Sequence, residues 1–353
     1  MIAYRFAQPL FLCVAIVAAL PAKAQTSQAQ QEPPEQAGQN RADPPARPSG
    51  DAGVFSLVVE NDLLYNVDRH YTNGIRASYL TPRGDEPVRA RDLATSLPIF
   101  TADTDLRVEY ALGQSMFTPS DIKVSNPPLD DRPYGGWLYG SLGLIGRTDH
   151  VLDQVIVSLG VVGPASLAEQ SQKFVHSIIG SPEPQGWDSQ LKNEPAVQMF
   201  YERSWRSPAF HLPAGVDLDA TPHAGGALGN VFTYGNMGMM FRLGQNLPLD
   251  YGVQRIFPSL PGSGYFEPVN DVGWYFFAGV DGRAVARNIF LDGNTFADSR
   301  SVDKRTYVGD AQFGIAVIVK GVRIAYTHVL RTKEFETQDS ADRFGALSVS
   351  FRF

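Results

Sequence analysis

Three stretches of the chain combine residue types that can do chemistry. Glu60-Asn61-Asp62 and Tyr71-Thr72-Asn73-Gly74 lie about ten residues apart. Together they offer carboxylate, amide, hydroxyl and backbone carbonyl oxygens. Hard oxygen donors of this kind suit a cation such as Ca²⁺, with Asp62 and Thr72 as the metal candidates. The same residue types also build ordinary turns, which is the competing explanation. The third stretch is the loop 163–195. Within it Ser166 to Ile179 (SLAEQSQKFVHSII) lacks Pro and Gly and stops at Gly180, so it is expected to be a helix. Leu167, Phe174, Val175, Ile178 and Ile179 supply its apolar positions. Gln172 and His176 are four residues apart and share a helix face. Histidine titrates near neutral pH, so His176 suits a general base, unless it is only structural. Pro182 to Gly186 turns the chain back, and Trp187 suits an interfacial anchor. After Gln114 to Ser120 (QSMFTPS), Lys123 offers a cation to an anionic phosphate. Asp130-Asp131-Arg132-Pro133-Tyr134 has the composition of a turn.

The elements that must hold these residues are strands. In Gly345 to Phe353, Leu347, Val349, Phe351 and Phe353 alternate with Ser348, Ser350 and Arg352, a period of two. Val322, Ile324 and Tyr326 alternate with Arg323, Ala325 and Thr327, and Lys320-Gly321 before them forms a hairpin turn. Twelve such runs are expected, near 53–62, 72–82, 107–117, 134–147, 150–162, 196–206, 217–227, 231–243, 272–286, 304–319, 322–335 and 343–353. Many reach ten residues, long enough for a tilted strand to cross a bilayer. Tyr134, Trp137, Tyr139, Trp274, Tyr275 and Phe276 sit near strand ends, where interfacial girdles belong. The expected fold is all-β, a transmembrane antiparallel β-barrel of about 12 strands with a short helix in an extracellular loop. A secreted β-sandwich or soluble barrel is the alternative. With both chain ends on the periplasmic side, all three polar clusters fall on the extracellular side. Strand parity turns Asp62 and Thr72 inward. The connections 83–106 and 244–271 are then longer than periplasmic turns usually are.

Composition narrows the functional classes. Residues 1–24 have the charge, apolar core and Ala22-Lys23-Ala24 ending of a secretory signal peptide. Residues 25–52 contain no Val, Ile, Leu, Met or aromatic residue and are expected to be a disordered leader. The barrel then occupies 53–353. The sole cysteine, Cys13, lies in the signal, so the mature chain offers neither a thiolate nucleophile nor a cysteine-ligated metal. Loss of Arg5 and Lys23 takes the net charge from −7 to −9. That balance argues against nucleic acid as a partner. After the signal there is no apolar run long enough for a membrane-spanning helix. No Gly-x-Ser-x-Gly elbow occurs, and no Ser is visibly paired with a His.

The motifs END (60–62), RHYTNG (69–74), QSMFTPSD (114–121), DRPYGGW (131–137), VVGPASLAEQSQKFVHSIIG (161–180) and GW (186–187) resemble, in this order, the LpxR family of lipid A 3′-O-deacylases. The likeness runs from about residue 53 to the end, with the specific motifs in the first half. It implies a twelve-stranded outer-membrane barrel and a Ca²⁺-dependent esterase that removes the 3′-linked acyloxyacyl chain of lipid A. Lipopolysaccharide in the outer leaflet is then the partner, and the barrel acts as a monomer. The family's Asn-Asp pair falls on Asn61 and Asp62, its Thr on Thr72, its helix Gln on Gln172 and its catalytic His on His176. Ungapped alignment puts Pro182 at the family's acidic position, with Glu183 one residue later. The family's phosphate-facing Lys falls near Lys123, also one residue away. An outer-membrane phospholipase, or a barrel acting as a channel or structural protein, remains the alternative.

Overall fold

The computed structural model describes residues 52–62, 70–101, 103–256, 258 and 264–353. The signal segment 1–24 and the leader, save Ala52, lie outside the described residues. Thirteen strands form one antiparallel sheet: β1 (Val54–Asn61), β2 (His70–Leu80), β3 (Asp105–Thr118), β4 (Gly135–Arg147), β5 (Val151–Val162), β6 (Glu194–Trp205), β7 (Phe210–Leu212), β8 (Val216–Gly229), β9 (Phe232–Gln245), β10 (Val272–Asn288), β11 (Tyr307–Val319), β12 (Val322–Arg331) and β13 (Asp342–Arg352). β1 pairs with β13, Val54 opposite Arg352, and this closes the barrel. β6 pairs directly with β8, so β7 is a short flap on the edge of β8 and the barrel proper has twelve strands. Closure removes the free edges that an open sheet would leave unpaired in lipid. No described helix is long and apolar enough to cross a membrane, which says nothing of a β-barrel.

All twelve expected runs are strands, most with ends shifted by one to three residues. Outward positions are apolar and exposed, for example Tyr110 and Leu112 on β3, Val157 and Leu159 on β5, and Phe313, Ile315 and Val317 on β11. The intervening positions are buried in the lumen. This parity corrects part of the aromatic girdle. Trp137, Tyr139 and Tyr275 occupy inward positions and are buried, and Tyr134 is buried under a loop. Trp274 and Phe276 do lie on the outward face, in edge contact at 5.6 Å.

The lumen is packed. Toward the rim where β2 begins and β3 ends it holds Tyr71, Phe117, Trp137, Phe232, Phe290 and Phe344. Phe290 comes from a short helix (Ile289–Asp292) and stacks on Phe117 at 3.9 Å. At the end of the barrel where Val54 meets Arg352, residues 246–256 of the connection after β9 fold back into the barrel. Its Arg255 donates to Glu60 (2.5 Å) and Gln312 (2.8 Å). Gln254 donates to Ser78 (3.2 Å) and Glu109 (3.1 Å). Asp250 accepts from Arg242 and Arg323 and from the Tyr275 hydroxyl at 3.3 Å. Residues 250–255 therefore plug the lumen. The other long connection carries helix α1 (Val88–Ser96), whose Ala94 packs with Phe100, Val108 and Leu144.

Candidate active site

The expected helix forms as α2 (Ala168–Ile179), after a single 3₁₀ turn at Pro164–Ser166. Gly180 ends it at φ 71°, a left-handed conformation that costs glycine nothing. The amides of Gly180 and Ser181 both donate to the His176 carbonyl. The buried residues of α2 are Ala168, Gln172 and His176. Gln172 and His176 are 2% and 3% exposed. Phe174, Val175 and Ile178 are 62%, 38% and 44% exposed. The helix is thus inverted relative to one on a soluble protein: polar side chains face the barrel and apolar ones face away.

α2 lies against the outer wall. Outward positions run in register across four strands as Asn61, Asn73, Met116 and Gly136. Met116 packs with Tyr134, Ala168 and Trp187. A Cβ on Gly136 would collide with the Ala168 Cβ and the Ser166 hydroxyl, so glycine is what lets the helix approach. Outward-facing Gln114 donates to the Ser166 carbonyl (2.7 Å) and holds the turn before the helix.

Two hydrogen bonds fix the buried face of α2. The Trp187 indole donates to Gln172 Oε1 (2.8 Å), and its ring packs on Tyr134, centroids 4.8 Å apart. Trp187 is therefore a buried support, not the interfacial anchor expected from sequence; the bond to Gln172 turns it inward. His176 Nδ1 donates to the Pro182 carbonyl (2.6 Å). A protonated Nδ1 bonded to a carbonyl leaves the lone pair on Nε2, the tautomer a general base needs. The acidic side chain awaited near this position is replaced by a backbone oxygen. Glu183 stands outside the cluster, exposed and 3.5 Å from Lys173, which also meets Glu169 at 2.9 Å. The bond to Glu169, aided by the charge of Glu183, holds the Lys173 ammonium above its usual pKa.

The oxygen donors lie on the neighbouring strands. Asp62 and Thr72 are buried, and the Asp62 amide donates to the Thr72 carbonyl at 3.4 Å. A β-bulge separates Tyr71, paired with Phe117, from Asn73, paired with Met116, and Thr72 is the extra residue. The bulge corrects the expected inward parity. Thr72 Oγ1 is 2.6 Å from Thr118 Oγ1, and Thr118 continues the outward parity of Gln114 and Met116. Thr118 was not singled out from sequence, although it lies in QSMFTPSD. The set is one carboxylate with hydroxyl, amide and carbonyl oxygens, a donor chemistry that fits a hard cation. Among the described residues no three His, Cys, Asp or Glu side chains form a metal cluster. Lys123 is exposed, its amide bonded to Asp121 (2.9 Å), beside Ile122, whose carbonyl accepts from the Gln185 amide (2.8 Å).

A closed barrel with an apolar outer belt and a packed lumen is the architecture of an outer-membrane barrel. The family model described as outer membrane protein LpxR matches residues 10–353, so the chain belongs to the LpxR family and, with it, to the outer-membrane enzymes that act on lipid A. LpxR from Salmonella typhimurium is 20% identical, with a TM-score of 0.69 over 85% of this chain and 100% of that one, which shows a shared fold. The β domain of the Bordetella autotransporter BrkA reaches a TM-score of 0.41 at 10% identity over 86% and 99% of the two chains, a likeness too slight to carry an argument. No curated protein matches the sequence.

Proposed function

We propose that this protein hydrolyses the 3′-linked acyloxyacyl ester of lipid A, with its site on the extracellular side of the outer membrane. The observation that carries this reading is the inverted helix α2. A helix that buries Gln172 and His176 against the barrel and exposes Phe174, Val175 and Ile178 suits surroundings of acyl chains. A polar cleft at the edge of such surroundings is where an ester between chain and sugar would meet water.

His176 is the general base. Its Nε2 takes a proton from the attacking water while the Pro182 carbonyl holds the ring in that tautomer. Gln172, locked by Trp187, keeps the helix face in place. Asn61 offers an amide donor to the developing oxyanion from the outward row on β1. Asp62 and Thr72 would hold a Ca²⁺, which supplies polarisation of the ester carbonyl when bound. Exposed Lys123 would meet a lipid A phosphate, and Glu183 serves the outer surface of α2. The filled lumen weighs against the channel reading.

The test is mass spectrometry of lipid A from cells expressing wild type or His176→Ala, with and without chelator. Loss of one acyloxyacyl unit with wild type alone, abolished by chelation, is the expected result. Unchanged lipid A with abundant folded protein and Ca²⁺ present would overturn the proposal, and phospholipid breakdown would favour a phospholipase.

A further inference from the structure

On the other side of the β2–β3 rim, fold and sequence bring together three residues that the deacylase reading leaves unused. The exposed Ser120 hydroxyl donates to His70 Nε2 at 3.0 Å. His70 Nδ1 donates to Asp342 Oδ1 at 2.7 Å. Gln338 donates to Asp342 Oδ2 at 3.1 Å, and Phe335 meets the His70 ring edge-on at 5.3 Å, so both carboxylate and ring are fixed. His70 is buried at φ 63°, a left-handed conformation sparsely used outside glycine. Local strain of that kind collects where surrounding structure fixes a working group. Asp342 pairs with Arg331, whose buried side chain bonds Asp310, so Asp342 stands on the lumen side of β13 and draws the His70 ring toward it. Thr72 and Thr118, by contrast, face the outer wall.

We infer that Ser120, His70 and Asp342 form a second acyl-transfer centre, acting on small, water-borne carboxylic esters at the barrel mouth. The order of bonds is nucleophile, base, orienting acid, and such triads are recognised by geometry and not by order along the chain. Ser120 Oγ bonds to the ester carbonyl carbon while its proton passes to His70 Nε2. The carbon–alkoxide bond breaks, and His70 returns the proton to the departing alcohol. Water, deprotonated by the same nitrogen, then cleaves the acyl-serine and restores Ser120. Asp342 holds His70 in the competent tautomer throughout. The Ser120 amide is committed to Asp131 Oδ2 (2.7 Å), so the nucleophile's own N–H does not serve the oxyanion. Turnover is therefore expected to be slow, and covalent capture is the right readout.

The full-length protein, folded in detergent and judged folded by its heat-modifiable gel mobility, is treated with a fluorophosphonate probe. One label on Ser120, mapped by peptide mass spectrometry, is expected. Ser120→Ala removes it; Ser120 is exposed, so this change should leave the fold intact. His70→Gln slows labelling about 100-fold or more, and Asp342→Asn serves if that variant fails to fold. His176→Ala labels like wild type, which separates this centre from the lipid A site. Folded wild type that takes no label, or Ser120→Ala that labels equally, would overturn the inference and leave the cluster as a staple between loops.

Discussion

The lumen near the Val54–Arg352 end and the outer wall at the opposite rim both bury polar side chains, for opposite purposes. In the lumen, Asp250 sits between Arg242 and Arg323, and Arg255 bonds Glu60 and Gln312. Apart from the neutral Gln312, these are full charges matched with opposite charges, and they anchor a loop. At the rim, α2 buries Gln172 and His176 and exposes an apolar face, and Asp62 and Thr72 are buried on the neighbouring strands. One region uses polarity to fill a tube; the other holds it beneath a helix with an apolar exposed face. Breaking a lumen contact should therefore cost stability, and breaking a rim contact should cost activity.

The largest expected effect follows from His176→Ala. Loss of the general base should lower lipid A deacylation about 10²–10⁴-fold, with heat-modifiable gel mobility unchanged. An equal loss of folded protein would erase the contrast between the regions. Asp250→Ala is the converse. It leaves Arg242 and Arg323 facing each other without their shared partner and should cost about 3–5 kcal/mol in urea unfolding. Activity per folded molecule should stay at the wild-type level; a parallel fall would mean that the plug sets the site.

Smaller effects sharpen the boundary. Trp187→Phe removes the indole donor to Gln172, worth about 1 kcal/mol, and should reduce deacylation about fivefold with little change in stability. Glu334 tests a charge at the rim that belongs to the structural kind. Burial opposes its ionisation, but Arg132, Arg331 and Arg283 outweigh burial and hold its carboxyl below its usual 4.5. Its bond to Arg132 (2.8 Å) thus contributes stability above about pH 4.5, lost as pH falls through the lowered folded value. Wild type and Glu334→Gln should differ in thermal unfolding at pH 7 and converge in acid. Glu183→Ala should change stability by less than about 0.5 kcal/mol; a large loss of activity would return that residue to the site.

The strands were readable because each is long and half its positions face lipid, so the period-two signal repeats over ten or more residues. The helix in 163–195 was readable from its lack of Pro and Gly and its Gly180 stop. Its orientation was not. Phe174, Val175 and Ile178 signal burial only if the surroundings are water, and here the apolar side is the outside. Trp187 was misjudged for the same reason. The bulge at Thr72 leaves no trace in the alternation, yet one extra residue turns a side chain to the other face. Nor does residue spacing show that 246–256 folds back into the barrel.

By itself, the sequence determined the barrel, its strand number, the helix and the residues with chemical capacity, because these depend on local period and side-chain type. Tertiary structure alone decided which side of the wall each group serves. Thr72 went outward by a bulge, and His176 was pinned by the Pro182 carbonyl and not by Glu183. Ser120, His70 and Asp342, up to 272 residues apart in sequence, met only because barrel closure sets β13 against β1, beside β2. Such meetings depend on register and closure, properties of the whole sheet that no short stretch of sequence carries.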